Sequence, residues 1–188
     1  MKSKPTPYVV KRIQIDRARK GAADDPDLTL VYSFFAESEK YKSCFKYIIR
    51  AEKFKDCYAI KYYCTRAKHS DYKYSRVLNF FSAVETKRLM VVVASIIPEI
   101  LTEDPLASFA FNGSRTYDRK NYIEGIECTQ RYRIYIELVR RLFGDKVFYI
   151  TNHDRSSACI FVNRRANRDV EAATKRIFEM FADIFRVV

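Results

Sequence analysis

The sequence predicts an α+β protein: a mostly antiparallel sheet built from an N-terminal run of strands, with about three helices packed on one face. Three observations predict it. Segments of the first eighty positions show period-two patterning, imperfect at Tyr8 to Ile15, or β-branched and aromatic runs, separated by short polar breaks. Helical periodicity with recognisable caps is confined to the second half. With 188 residues, of which 48% are hydrophobic, the chain can bury a sizeable core as one domain, 1–188, without staples. Strands followed by helices in this order are the signature of α+β architecture.

The strand run begins at Tyr8 to Ile15, where Val10, Ile13 and Ile15 sit among Lys11, Arg12 and Gln14. A polar loop with Gly21 and Pro26 follows. Leu28 to Phe35 is β-branched and aromatic. Tyr41 to Arg50 puts Phe45, Tyr47 and Ile49 on one face and Lys42, Lys46 and Arg50 on the other. Tyr58 to Arg66 repeats the theme, and Tyr72 to Phe80 is a candidate fifth strand.

Ser82 and Glu85 form an S-x-x-E capping box that opens a helix from about Ala83 to Glu103. The β-branched run Met90 to Ile97 also fits a buried strand, but its length and the cap favour a helix, kinked at Pro98. Leu106 to Phe111 is a short strand ending at Asn112-Gly113. Thr129 to Phe143 is a helix with Tyr132, Tyr135, Val139 and Leu142 on its apolar stripe, stopped by Gly144. Val147 to Thr151 and Ala158 to Val162 pair as a hairpin, and Asn167 caps a last helix.

The charge is uneven. The chain carries 35 Lys and Arg against 23 Asp and Glu, a net charge of +12. Lys40 to Arg76 alone holds eleven basic and three acidic residues, which is +8. A field of that size points to a polyanionic partner, nucleic acid or an acidic protein. The five cysteines, odd in number and with no C-x-x-C pair, read as free thiols of a cytoplasmic protein. No targeting segment is expected, because Pro5 and Pro7 follow Lys2 and Lys4 where an apolar stretch would stand. The longest apolar stretch, Leu89 to Leu101, is interrupted by Pro98 and Glu99. A bilayer span needs about 20 apolar residues, so no membrane partner is expected.

Two residue sets can carry function. In the first, Lys42, Lys46, Arg50, Lys61, Arg66, Lys73 and Arg76 are interleaved with tyrosines that include Tyr47, Tyr62 and Tyr63. Nucleic acid calls for this pairing: cations for phosphates, flat rings for bases. It works only if both types share the solvent face of the sheet. If the tyrosines point inward, the lysines merely solvate an outer face. In the second set, Gly113 allows an unusual backbone angle, Ser114 adds a hydroxyl, and Arg115, Arg119, Arg131 and Arg133 add cations, so the turn can present donors to a phosphate. It lacks a full phosphate-loop pattern, and an ordinary strand-to-loop turn is the competing account.

Metal and nucleophilic chemistry have little support. His69 and His153 are the only histidines; Cys57, Cys64 and His69 lack zinc-finger spacing, and Cys128 with His153 is one thiol and one distant imidazole. No cofactor or metal is expected.

From Leu78 to Arg164 the chain resembles a family of small uncharacterised bacterial proteins. The shared features are an apolar helix (Val91 to Ile97), a strand of the F-x-x-G-S kind (here Phe109 to Ser114, with one residue more before Gly-Ser), an arginine-rich stretch with a tyrosine, and a final strand (Ile160 to Val162). The arginine–tyrosine element matches either Arg119 with Tyr122, or Arg131 and Arg133 with Tyr135 after an insertion. The resemblance implies a bacterial or phage origin and no particular activity. Three functions stay open on the sequence. The leading one is a nucleic-acid-binding or nucleic-acid-associated protein without catalysis of its own. The others are a protein-interaction subunit of a bacterial defence or mobile-element system, and a nucleotide-directed enzyme or toxin.

Overall fold

A computed structural model describes residues 8–17, 25–76, 80–118 and 120–185. Among the described residues, seven strands form one sheet: β1 (Lys11–Arg17), β2 (Leu28–Ser38), β3 (Ser43–Phe54), β4 (Cys57–Cys64), β5 (Ser108–Asn112), β8 (Phe148–His153) and β9 (Ala158–Asn163). Their order is β1-β2-β3-β4-β5-β9-β8. Every neighbour pair is antiparallel except β4 with β5. β2, β3 and β4 form a meander because short turns join them, and antiparallel partners need no more. The chain then leaves for two helices, α1 (Ala83–Ala94) and α2 (Ile96–Glu103), and re-enters at β5 parallel to β4. A small separate hairpin, β6 (Tyr117–Asp118) with β7 (Asn121–Tyr122), lies between β5 and α3 (Gln130–Val147). The last helix is α4 (Val170–Phe185).

Strand parity sorts the side chains onto the two faces. Phe45, Tyr47, Ile49 and Ala51 of β3, with Tyr58, Ile60 and Tyr62 of β4, point into the main core under α1, α2 and α3. The alternate residues face the other way. There, Cys57, Ile160 and Val162 meet Ala173 and Ile177 of α4 in a smaller core, and Phe54 packs edge-on against Phe181. The α+β class and the mostly antiparallel sheet are as the sequence predicts. Three helices cover one face, and α4 takes part of the opposite one.

The local signals have physical causes. Ser82 Oγ accepts from the Glu85 amide while the Glu85 carboxylate accepts from the Ser82 amide, completing the predicted capping box. The apolar run breaks at Ser95, ahead of Pro98. That break places Pro98 in the first turn of α2, where its missing N–H has no intrahelical acceptor to lose. Gly144 (φ +59°) interrupts α3 where the sequence stops it. Leu142 is exposed and lies off the expected stripe, while Tyr132, Tyr135 and Val139 are buried. Asp169, not Asn167, caps α4, accepting from the Ala172 amide. Residues 71–76 are turns, so the candidate fifth strand does not form there; 77–79 lie outside the described residues. No described helix is long and apolar enough to cross a membrane.

Candidate functional site

The first sequence-predicted set divides by face. Tyr47 and Tyr62 are 0% and 3% exposed in the main core. A buried ring cannot receive a base, so both are corrected from binding to packing. Burial raises the Tyr47 phenol well above its ordinary value. Tyr62 is raised by burial too, with the Arg131 charge opposing. Lys46, Arg50, Lys61 and Tyr63 occupy the opposite face, with Arg50 beside Lys61 and Ile48 beside Tyr63 in the β3–β4 register. Arg50 and Lys61 both grip Glu52, at 2.9 and 2.7 Å. Burial pushes the Glu52 carboxyl up, but these two cations outweigh it and hold it below the ordinary range. Lys46 stays exposed; Lys42 is exposed at the β2–β3 turn, and Arg66 lies over the Phe45 ring.

The remaining cations of that set gather elsewhere. The turn at 70–76 packs against the loop after β5. The Tyr117 amide donates to the Ser75 carbonyl, and the Tyr72 and Tyr117 rings stack 4.0 Å apart with planes 3° from parallel. The β6–β7 register sets Tyr117 opposite Tyr122, and Tyr122 meets both other rings edge-on. Arginines cover these rings: Arg76 over Tyr117 at 5.1 Å, and Arg115 over Tyr122 at 3.7 Å. Lys73 lies over both Tyr63 and Tyr74, at 5.3 and 5.1 Å. Among the described residues, Lys73, Arg76 and Arg115 form no ion pair. Two segments distant in sequence thus merge into one patch of tyrosine rings and unneutralised cations.

The second set is reorganised more sharply. Gly113 does not adopt a left-handed angle; its need is space. A Cβ there would lie 2.6 Å from Tyr132 Cβ and 2.7 Å from the Tyr132 backbone nitrogen. The end of β5 thereby touches the start of α3, where Thr129 Oγ1 donates to the Gly113 carbonyl and the Gly113 amide donates to the Ser157 carbonyl. The amides of Thr116 and Gln130 donate to the two oxygens of Glu124, each at 2.7 Å. Burial raises the Glu124 carboxyl, but these bonds win and lower it. The Gly113, Thr116 and Gln130 amides are therefore already taken, and glycine is needed at 113 for the close approach to α3 rather than for an unusual backbone angle. Ser114 contributes its carbonyl to Arg131. Arg133 is exposed on α3, and Arg119 lies outside the described residues.

Arg131 holds the region together. It is 2% exposed. Its terminal nitrogens donate to the carbonyls of Tyr74, Ser114 and Arg115, tying both halves of the patch to α3. It also lines a cleft of about 240 Å³ beside the patch. The β4–β5 pairing stops at Ile60 and Phe111. Beyond that point β4 continues with β3, and β5 continues with β9. The carboxyl ends of the parallel pair separate, and the gap opens the cleft, which α4 walls with Phe178, Phe181 and Ala182. Nothing in the sequence announces this cleft, because it arises from strand divergence and from small residues on different strands.

Together these features define an α+β protein with a mixed seven-stranded sheet, a basic tyrosine patch and an adjoining cleft. No family model, curated protein or solved structure matches this chain.

Proposed function

We propose that the protein binds single-stranded nucleic acid, without catalysis of its own, through the patch formed by Lys73, Arg76 and Arg115 with Tyr63, Tyr72, Tyr74, Tyr117 and Tyr122. The observation that carries this reading is that these cations rest on tyrosine rings and form no ion pair with any described carboxylate. Cations held this way keep their charge for phosphates, and partly exposed rings offer π-faces to unstacked bases. Single strands are favoured over duplex because stacking needs splayed bases. Exposed Lys120, in the turn between Tyr117 and Tyr122, adds to the positive field at the patch. On this reading the protein works in the cytoplasm of a bacterium or is a phage product, in keeping with five free cysteines.

Fluorescence anisotropy with labelled single-stranded DNA and RNA oligonucleotides tests it. Binding should weaken steeply with salt, by about 0.7 in the log–log slope for each phosphate contacted. The Lys73→Ala, Arg76→Ala, Arg115→Ala triple variant should flatten that slope by about 2. Absence of binding at low salt, or a slope unchanged in the triple variant, rejects the proposal. If the patch instead captures an acidic protein that survives nuclease treatment, it is a protein-interaction surface.

A further inference from the structure

The cleft is polar at one end only. Its apolar floor comes from Ala59, Ala110 and Ile160, which share one row across β4, β5 and β9. Further along the same strands the lining changes to Lys61, Tyr62, Asn112 and, past β5, Ser114. Arg131 and Tyr135 join the lining from α3. Three small or aliphatic floor residues leave room for a flat or slender apolar body against Phe178 and Phe181 of α4.

The polar end has donors left over. The Nε–H of Arg131 is buried and has no acceptor at hydrogen-bond distance among the described residues; the guanidinium lies near enough to the Tyr62 hydroxyl to oppose the rise of that phenol, without closing a bond to it. Tyr62 and Tyr135 share one hydrogen bond between their hydroxyls, 2.7 Å long. Two hydroxyl protons and one bond leave a second donor, whichever way the bond runs. Burial holds both phenols protonated at neutral pH. Arg131 forms no ion pair among the described residues: the nearby Glu124 carboxylate is committed to the Thr116 and Gln130 amides. A buried cation with an idle N–H, next to an idle O–H, is costly unless an acceptor completes it.

We propose that the cleft binds a small apolar carboxylic acid, its carboxylate meeting Arg131 and the Tyr62–Tyr135 pair and its hydrocarbon lying between the Ala59–Ala110–Ile160 floor and α4. The charge count favours a monoanion over a phosphate dianion. Around the cleft, Arg50, Lys61 and Arg131 carry three positive charges against two carboxylates, Glu52, which Arg50 and Lys61 share, and Glu124, which feels the Arg131 charge, so one positive charge remains to be matched. The volume sets the size. At about 240 Å³ the cleft falls below the roughly 300–1,000 Å³ of sites for drug-sized ligands. This site adjoins the nucleic-acid patch, with Tyr74 common to both, but its ligand contacts at Arg131, Tyr62 and Tyr135 lie outside the patch, so either assignment can fail alone.

NMR titration of the whole chain with benzoate, hexanoate, benzamide and inorganic phosphate tests the proposal. At least one of the two acids should shift the amides of Ala59, Ala110 and Ile160 saturably. Benzamide, which matches benzoate in shape but carries no charge, should bind at least tenfold more weakly. Phosphate should not compete. Ala182→Phe, a plug from an exposed position on α4, should abolish the acid's shifts while leaving the thermal midpoint in place. Ala110→Leu, which fills the floor, is the second plug should the first perturb α4. The proposal is overturned if neither acid shifts these amides, if benzamide equals benzoate, if phosphate competes with the acid, or if both plugs leave acid binding unchanged.

Discussion

The tyrosines of the strands and the tyrosines of the loops do opposite work. On β3 and β4, Tyr47 and Tyr62 fall on the inward parity and disappear into the main core. In the turn at 70–76 and the two-residue strands of the β6–β7 hairpin, outside the main sheet and its core, Tyr72, Tyr117 and Tyr122 collect at the surface beneath arginines. On β3 and β4 the period-two rule puts Tyr47 and Tyr62 on the face opposite Lys46, Arg50 and Lys61 and leaves Tyr63 as the one tyrosine of these strands beside the cations. The turn and the short hairpin cover no core, so they can bring rings and cations together at the surface.

The largest expected effect breaks this comparison at its buried side. Tyr47→Ala should cost about 3–5 kcal/mol of unfolding free energy, the usual range for removing a large buried aromatic. Tyr72→Ala, from a ring 39% exposed, should change stability by less than about 1 kcal/mol. Its effect belongs to binding, where losing one stacked base costs about 1–3 kcal/mol. Urea denaturation and oligonucleotide titration of both variants measure the two effects side by side. Equal stability losses would erase the distinction between strand and loop tyrosines.

Gly113→Ala sharpens the comparison where β5 meets α3. The new Cβ would meet backbone as well as side chain, 2.7 Å from the Tyr132 nitrogen. Overpacking of this kind costs about 1–3 kcal/mol, and the patch should loosen with it, because Arg131 on the same turn of α3 holds Tyr74, Ser114 and Arg115. A lowered urea midpoint with weaker oligonucleotide binding is the expected pair of results. An unchanged midpoint would mean that the close approach is not tight.

Much of the fold was legible because its signals are local. Alternation located β2, β3 and β4 to within a few residues, and the Ser82–Glu85 box located the start of α1. The candidate site was half legible. Composition identified Lys73 and Arg76 as cations among tyrosines and put Arg115 in the separate Gly113–Ser114 turn, but not their meeting, which depends on contacts between residues 72–76 and 115–122. Gly113 was singled out for its backbone freedom, whereas its role is set by Tyr132 and Thr129, which only the folded chain brings near. The cleft was illegible for the same reason: Ala59, Ala110 and Ile160 are ordinary apolar residues until three strands set them in a row.

The smallest effect concerns pH and the turn that joins the sheet to α1. Glu85 accepts from the Glu39 amide and the Ser82 amide, each at 2.7 Å. The Glu39 bond is the leading reason its carboxyl lies below the ordinary carboxylate range, with the Ser82 bond next. A carboxyl whose pKa is lower folded than unfolded binds protons more readily in the unfolded chain. Its contribution is therefore fully present above the unfolded value of about 4.3 and is lost as pH falls through the folded value. Glu85→Gln keeps the shape and removes the titration. Urea midpoints measured from pH 7 down to about pH 3, a span that brackets the unfolded carboxyl, should fall less steeply for Glu85→Gln than for the native chain, with the two curves converging at the acid end. Parallel curves would mean that Glu85 gains nothing from its charge and that the box holds the β2–β3 turn to α1 by hydrogen-bond geometry alone.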